Sequence, residues 1–171
     1  MNHGSGRVPY REIAVSFNPS PSVLFVCLGN ICRSPLAEAA FRAEAERIGL
    51  DVKVDSAGTG DWHLGHAPDK RAQAVAQRNG IDISTYRARQ VKPEDFRDFT
   101  HIIALDANNF ADLRALRPDD ASAELSLLLD HVPGREGEAV ADPYYGEDAG
   151  FDVTWSEVVA GAKGLADRLK G

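Results

Sequence analysis

Val23-Leu24-Phe25-Val26-Cys27-Leu28-Gly29-Asn30-Ile31-Cys32-Arg33-Ser34-Pro35 reads as an apolar strand, a short loop and the start of a helix. The unbroken apolar run over Val23–Val26 suits a central parallel strand covered on both faces. Ser34 is the expected N-cap and Pro35 the first helical residue. The helix then carries Leu36, Ala37, Ala40, Phe41 and Ile48 on one face, and Gly49 ends it.

Further along, short β-rich runs alternate with helical stretches. Val52-Lys53-Val54 reads as a second strand, with Ser56-Ala57-Gly58-Thr59 as the turn behind it. Pro68 and Asp69 open a helix that Gly80 closes, and Lys92–Phe96 begins a short one. A third strand is expected over His101–Leu105, a helix over Asn109–Leu116 and a fourth strand over Leu125–Leu129. A final helix from about Val153 places Trp155, Val158, Val159, Ala162, Leu165 and Leu169 at core spacing. Strands separated by helices predict an α/β fold: a flavodoxin-like, doubly wound, four-stranded parallel sheet with helices on both faces. Ligands of such sheets sit beyond the carboxyl ends of the strands, where the Cys27 loop lies.

At 171 residues the chain suits one domain over 22–171, preceded by an extension over 1–21 that holds the apolar patch Ile13-Ala14-Val15. The net charge of −7, without a basic block, speaks against a nucleic-acid partner. Neither a run of about 20 apolar residues nor a signal-type leader is visible, so no membrane association and a cytoplasmic location are expected. The two cysteines, Cys27 and Cys32, share one loop, where a disulfide would staple almost nothing. Their spacing does not match zinc-ligand patterns, and no metal site is expected.

The loop has its own chemistry. Successive N–H groups from Leu28 through Gly29, Asn30, Ile31, Cys32 and Arg33 to Ser34 can curl into an anion nest. The positive end of the helix aims at the same point, and Gly29 and Asn30 tolerate the left-handed backbone that the curl needs. Arg33 adds a planar fork suited to two phosphate oxygens, and the same donors favour a thiolate at Cys27. A thiolate attacking phosphorus also needs an acid for the leaving group. Asp142, in Ala141-Asp142-Pro143-Tyr144-Tyr145-Gly146, is the candidate, although local sequence alone reads it as a turn cap.

With these residues in view, the chain from about Val23 to its C-terminus resembles the low-molecular-weight protein tyrosine phosphatases. Cys27–Pro35 matches that family's signature loop and Asp142-Pro143 its acid loop. Ser56-Ala57-Gly58, Pro68-Asp69 with Arg71-Ala72, Ala88-Arg89-Gln90, and Asp106 with Asn109 also match. The resemblance implies a cofactor-free and metal-free phosphatase acting on tyrosine-phosphorylated proteins, as a monomer or weak dimer. It implies Cys27 as nucleophile, Arg33 and the amides of Leu28–Ser34 as phosphate ligands, and Asp142 as acid and then base. Trp62, Tyr144 and Tyr145 would line the pocket mouth. Cys32 would either pair with Cys27 under oxidants or simply fill space beneath the loop. Many members have a histidine where this chain has Tyr86, so the bracing of Asn30 falls to the Tyr86 hydroxyl, to Ser84 or to nothing. His63 and His66 read as rim or surface residues.

Three other functions stay in view. A thioredoxin-coupled arsenate reductase needs cysteines beyond the loop pair. Phosphoarginine phosphatases of this type place a small hydroxyl residue where Ile31 stands, and tend to have a single aromatic after the acid-loop proline. A silent phosphotyrosine-binding module has no need of Cys27, Arg33 and Asp142 together.

Overall fold

A computed structural model describes residues 20–171, so the Ile13-Ala14-Val15 patch lies outside the described residues. The strands are β1 (Ser22–Cys27), β2 (Lys53–Gly58), β3 (His101–Ala104) and β4 (Glu124–Leu127). They form one sheet in the order β2-β1-β3-β4, with every pairing parallel. The helices are α1 (Arg33–Ile48), α2 (Lys70–Arg78), α3 (Asp95–Asp98), α4 (Ala107–Leu116) and α5 (Ala149–Lys170). The expected parallel α/β sheet with helices on both faces is what the chain adopts.

Strand periodicity divides the core in two. Val23 and Phe25 face α1, α2 and α5, where Phe25 meets Phe41 at 5.5 Å between ring centroids. Leu24 and Val26, with Ile102 and Ala104, face Phe96 of α3 and Leu113 of α4. All six residues of β1 are buried, as its apolar run requires. Because β1 lies between β2 and β3, the loop after Cys27 emerges where the connections leave for opposite sides, the usual ligand position in such sheets.

Several boundaries differ from expectation, four of them with a clear physical reason. The Ser56-Ala57-Gly58 segment is strand, not turn: Phe25, Val26 and Cys27 pair with Ser56, Ala57 and Gly58. The pairing opportunity overrides the turn preference of Ser and Gly. The residues Leu128–His131 leave β4 as a 3₁₀ turn, fixed by the Leu127 amide donating to Asp130 Oδ2 at 2.9 Å. α5 begins at Ala149, four residues early, because buried Phe151 anchors its first turn. α1 begins at Arg33 with Cys32 in the cap position, so Ser34 is not its N-cap. Within α5, Trp155 is half-buried against the core, while Val159 is 41% exposed and leaves the expected apolar stripe.

α5 sits very close to the 3₁₀ turn. A Cβ on Gly161 would lie 2.4 Å from Leu128 Cγ, and one on Gly164 would lie 1.9 Å from the His131 carbonyl oxygen. Glycine at these two positions lets the helix reach the edge of the sheet.

Candidate active site

The chemistry gathers at the carboxyl end of β1. Cys27 is 3% exposed and forms the floor of a cavity of about 420 Å³. Leu28, Gly29, Ile31, Cys32 and Arg33 line it from the loop, joined by Trp62, His63, Asp142, Tyr144 and Tyr145 from two later segments of the chain. Tyr145 is 95% exposed and Trp62 66%, while Tyr144 stands edge-on to Tyr145 at 4.8 Å. His63 belongs to the wall: its Cδ2 would lie 3.1 Å from a Cβ on Gly29. His66 is exposed and is absent from the lining.

The loop holds its shape through Asn30, whose φ of 57° is the described non-glycine exception to negative φ. Its buried amide donates to Ser34 Oγ at 2.8 Å and to Ser56 Oγ at 3.0 Å, and its Oδ1 accepts the Arg89 amide at 2.9 Å. The expected bracing from Tyr86 or Ser84 is therefore replaced by Ser34, Ser56 and the Arg89 backbone. Both Asn30 protons are committed, and Ser56 gives its own to Glu38 Oε1 at 2.7 Å. The Ser34 hydroxyl proton is left for Cys27 Sγ, 3.0 Å away, with the Ala57 carbonyl a longer alternative at 3.4 Å. The Ser34 amide also donates to Cys27 Sγ, at 3.4 Å. This explains why Ser34 does not cap α1: its hydroxyl and amide both serve the sulfur.

Glu38 is a buried carboxylate that the sequence did not single out. Burial pushes its pKa up, against hydrogen bonds from Ser56 and Arg42 that pull it down. Arg89 holds its backbone in place by binding the buried Asp95 at 3.1 and 3.2 Å and Asp55 at 3.0 Å.

Arg33 is buried and braced. Its Nη1 donates to Asp106 Oδ2 at 2.7 Å and to the Val140 carbonyl at 3.1 Å, while Nη2 lies 3.5 Å from Asp142 Oδ2. Burial works against the guanidinium charge, but Cys27, Asp106 and Asp142 outweigh it and raise the Arg33 pKa. Asp106 was matched in sequence without a role. Its place just beyond β3, at the same carboxyl end of the sheet as Cys27, was the available signal. Its other oxygen accepts the Asn109 amide at 2.7 Å and caps α4.

Asp142 lines the cavity beside Arg33 Nη2 with its carboxylate half exposed. The peptide before it is fixed by buried Thr154, which donates to the Ala141 carbonyl at 3.0 Å, and by Glu157, which accepts the Ala141 amide at 3.1 Å. Cys32 is buried at the cap of α1. Burial first, then Asp69, Cys27 and Asp142, push its thiol far above the ordinary range. Cys27, Arg33 and Asp142, read from separate parts of the sequence, thus line one cavity with Trp62, Tyr144 and Tyr145 at its mouth.

The profile described as "Low molecular weight phosphotyrosine protein phosphatase" matches residues 22–171. A low molecular weight protein-tyrosine-phosphatase of Bacillus subtilis is 48% identical over 126 residues, which is 72% of this chain and 81% of that protein. A low molecular weight phosphotyrosine protein phosphatase of Schizosaccharomyces pombe is 41% identical over 140 residues, 80% of this chain and 89% of the relative. The crystal structure of the same Bacillus subtilis protein superposes with a TM-score of 0.83, covering 91% of this chain and 98% of the other.

Proposed function

Because the chain belongs to the low molecular weight phosphotyrosine protein phosphatase family, we propose that it hydrolyses phosphotyrosine monoesters through a cysteinyl-phosphate intermediate. Cys27 Sγ attacks phosphorus in line, and the bond to the phenolic oxygen breaks as Asp142 protonates that oxygen. Asp142, now a carboxylate, takes a proton from water, which cleaves the sulfur–phosphorus bond and releases inorganic phosphate. Phosphoryl transfer of this kind depends on positioning and charge stabilisation. Arg33 Nη2 and the amides of Leu28–Ser34 supply that charge, so no metal or cofactor is invoked.

The observation that carries this reading is the depth of Cys27 below aromatic walls, with Arg33 and Asp142 at the same cavity. A phenyl ring spans that depth and stacks against Trp62 and Tyr144; the shorter esters of serine and threonine do not reach the floor. Ile31 and the paired Tyr144-Tyr145 favour phosphotyrosine over phosphoarginine. Hydrolysis of p-nitrophenyl phosphate and phosphotyrosine should persist in EDTA, and Cys27→Ser should abolish it while leaving the melting temperature in place. Loss of activity with chelator, or an active Cys27→Ser variant, overturns the mechanism.

Cys32 belongs to the same proposal as a resolving thiol. Peroxide converts the Cys27 thiolate to a sulfenic acid; the Cys32 sulfur then displaces water and closes a disulfide. A thiol that burial keeps protonated is itself a poor target for peroxide, which leaves Cys27 as the sulfur oxidised first. After peroxide and then dithiothreitol, wild type should recover and Cys32→Ser should not. Equal recovery leaves Cys32 as packing alone. No described helix is long and apolar enough to cross a membrane. Two unpaired thiols suit a reducing compartment, so cytoplasmic residence, protein substrates and a monomeric or weakly dimeric state complete the proposal.

A further inference from the structure

Arg71 is a residue that the catalytic scheme does not use, although it joins both of the loops that carry it. Asp69, two residues earlier, donates its amide to the Ile31 carbonyl of the phosphate-binding loop at 2.9 Å. Its carboxylate accepts the Arg71 amide at 2.8 Å, Arg71 Nε at 3.0 Å and Arg71 Nη2 at 3.0 Å. From that anchor the guanidinium reaches the acid loop, donating from Nη2 to the Tyr144 carbonyl at 2.9 Å and from Nη1 to the Gly146 carbonyl at 3.2 Å. It also lies 4.7 Å over the Phe151 ring, in the first turn of α5.

An exposed pair with Asp69 alone would contribute little and would require no reach to a carbonyl 75 residues away. A planar fork with several donors is what can hold a carboxylate on one side and two carbonyls on the other. The two gripped carbonyls lie just after Asp142, as Thr154 and Glu157 grip Ala141 just before it. We propose that Arg71 is a positioning residue that sets Asp142 against the leaving-group oxygen by tying the acid loop to the Cys27 loop through Asp69. This rests on the reading of Asp142 as general acid.

A misplaced acid hurts esters in proportion to their need for a proton. Arg71→Met keeps the apolar stem over Phe151 and removes every donor. Its kcat/KM for phenyl phosphate should fall at least about 5-fold further than its kcat/KM for p-nitrophenyl phosphate, whose leaving group needs no proton. In an Asp142→Asn background the same substitution should cost less than about 2-fold on phenyl phosphate, because the group it positions is already gone. Arg71→Lys, which keeps the charge but not the fork, is held to the same comparison should the Met variant fail to fold. Equal losses on both esters, additivity with Asp142→Asn, or no loss at all would overturn the proposal. Should Asp142→Asn itself treat the two esters alike, the general-acid reading falls first, and the role of Arg71 with it.

Discussion

Arg33 has a divided side chain: Nη1 is spent on Asp106 and the Val140 carbonyl, and Nη2 faces Asp142. The division decides what Asp106 does. It takes up one edge of the fork, so that a phosphate meets the remaining donors already aimed. It also neutralises a buried cation, and removing one partner of such a pair leaves an uncompensated charge, costing about 3–5 kcal/mol in the fully buried limit. Asp106 is less buried than Arg33, which places its loss at the lower end of that range. Asp106→Ala is therefore expected to weaken inhibition by inorganic phosphate about 10-fold or more and to lower kcat/KM with it. Phosphate inhibition constants at fixed pH check this, and an unchanged constant would mean that Arg33 needs no brace. Sequence reading found Cys27, Arg33 and Asp142 because each is itself a reactive group in a recognisable loop. Glu38 went unnoticed, and Asp106 and Arg71 were matched without a role, because all three act through other residues and the helical or turn sequence around them looks like ordinary polar surface.

At the level of elements, β1 and β2 do more than form a sheet. Their in-register pairing carries Ser56 and Gly58 alongside the Cys27 loop. Ser56 supplies the link between Asn30 and Glu38, and Gly58 supplies room. A Cβ there would lie 2.7 Å from the Leu28 carbonyl oxygen and 3.2 Å from Asn30. That carbonyl also accepts the Gly60 amide at 2.9 Å, so it is not free to move aside. Gly58→Ala should force the loop to open, reducing kcat/KM by about 10-fold or more while costing about 1–3 kcal/mol of stability, as overpacking does. Steady-state kinetics beside urea unfolding tests it; unaltered kinetics would show that the loop tolerates displacement. The sheet itself was legible from apolar runs and their spacing, but this segment was not. Ser-Ala-Gly-Thr has turn composition, and only the neighbouring strand, distant in sequence, makes it extended.

Across the whole molecule, the end of the sheet opposite the cavity carries a second polar cluster that bears on stability and not on catalysis. Arg168 of α5 forms a two-pronged pair with Glu124 at 2.6 and 2.8 Å, and Glu124 stands opposite His101 across β3 and β4. His131, under Gly164, bonds to Ser126 Oγ at 2.9 Å. Burial lowers the pKa of both histidines; Arg168 lowers them further, while Glu124, and for His131 also Asp130, pull the other way. A histidine whose folded pKa lies below its unfolded one lets the unfolded chain bind the proton first. The associated stability is complete above the unfolded value of about 6.5 and is lost as pH falls through the folded value. Glu38 acts in the opposite sense, since its raised pKa favours the folded state on the acid side. Comparing wild type with His101→Gln/His131→Gln separates the two, because the double variant keeps Glu38. The melting temperature of wild type should drop between pH 7.5 and 5.5 by more than that of the double variant. Identical drops would assign the acid sensitivity to carboxylates and remove the histidine pair from the account.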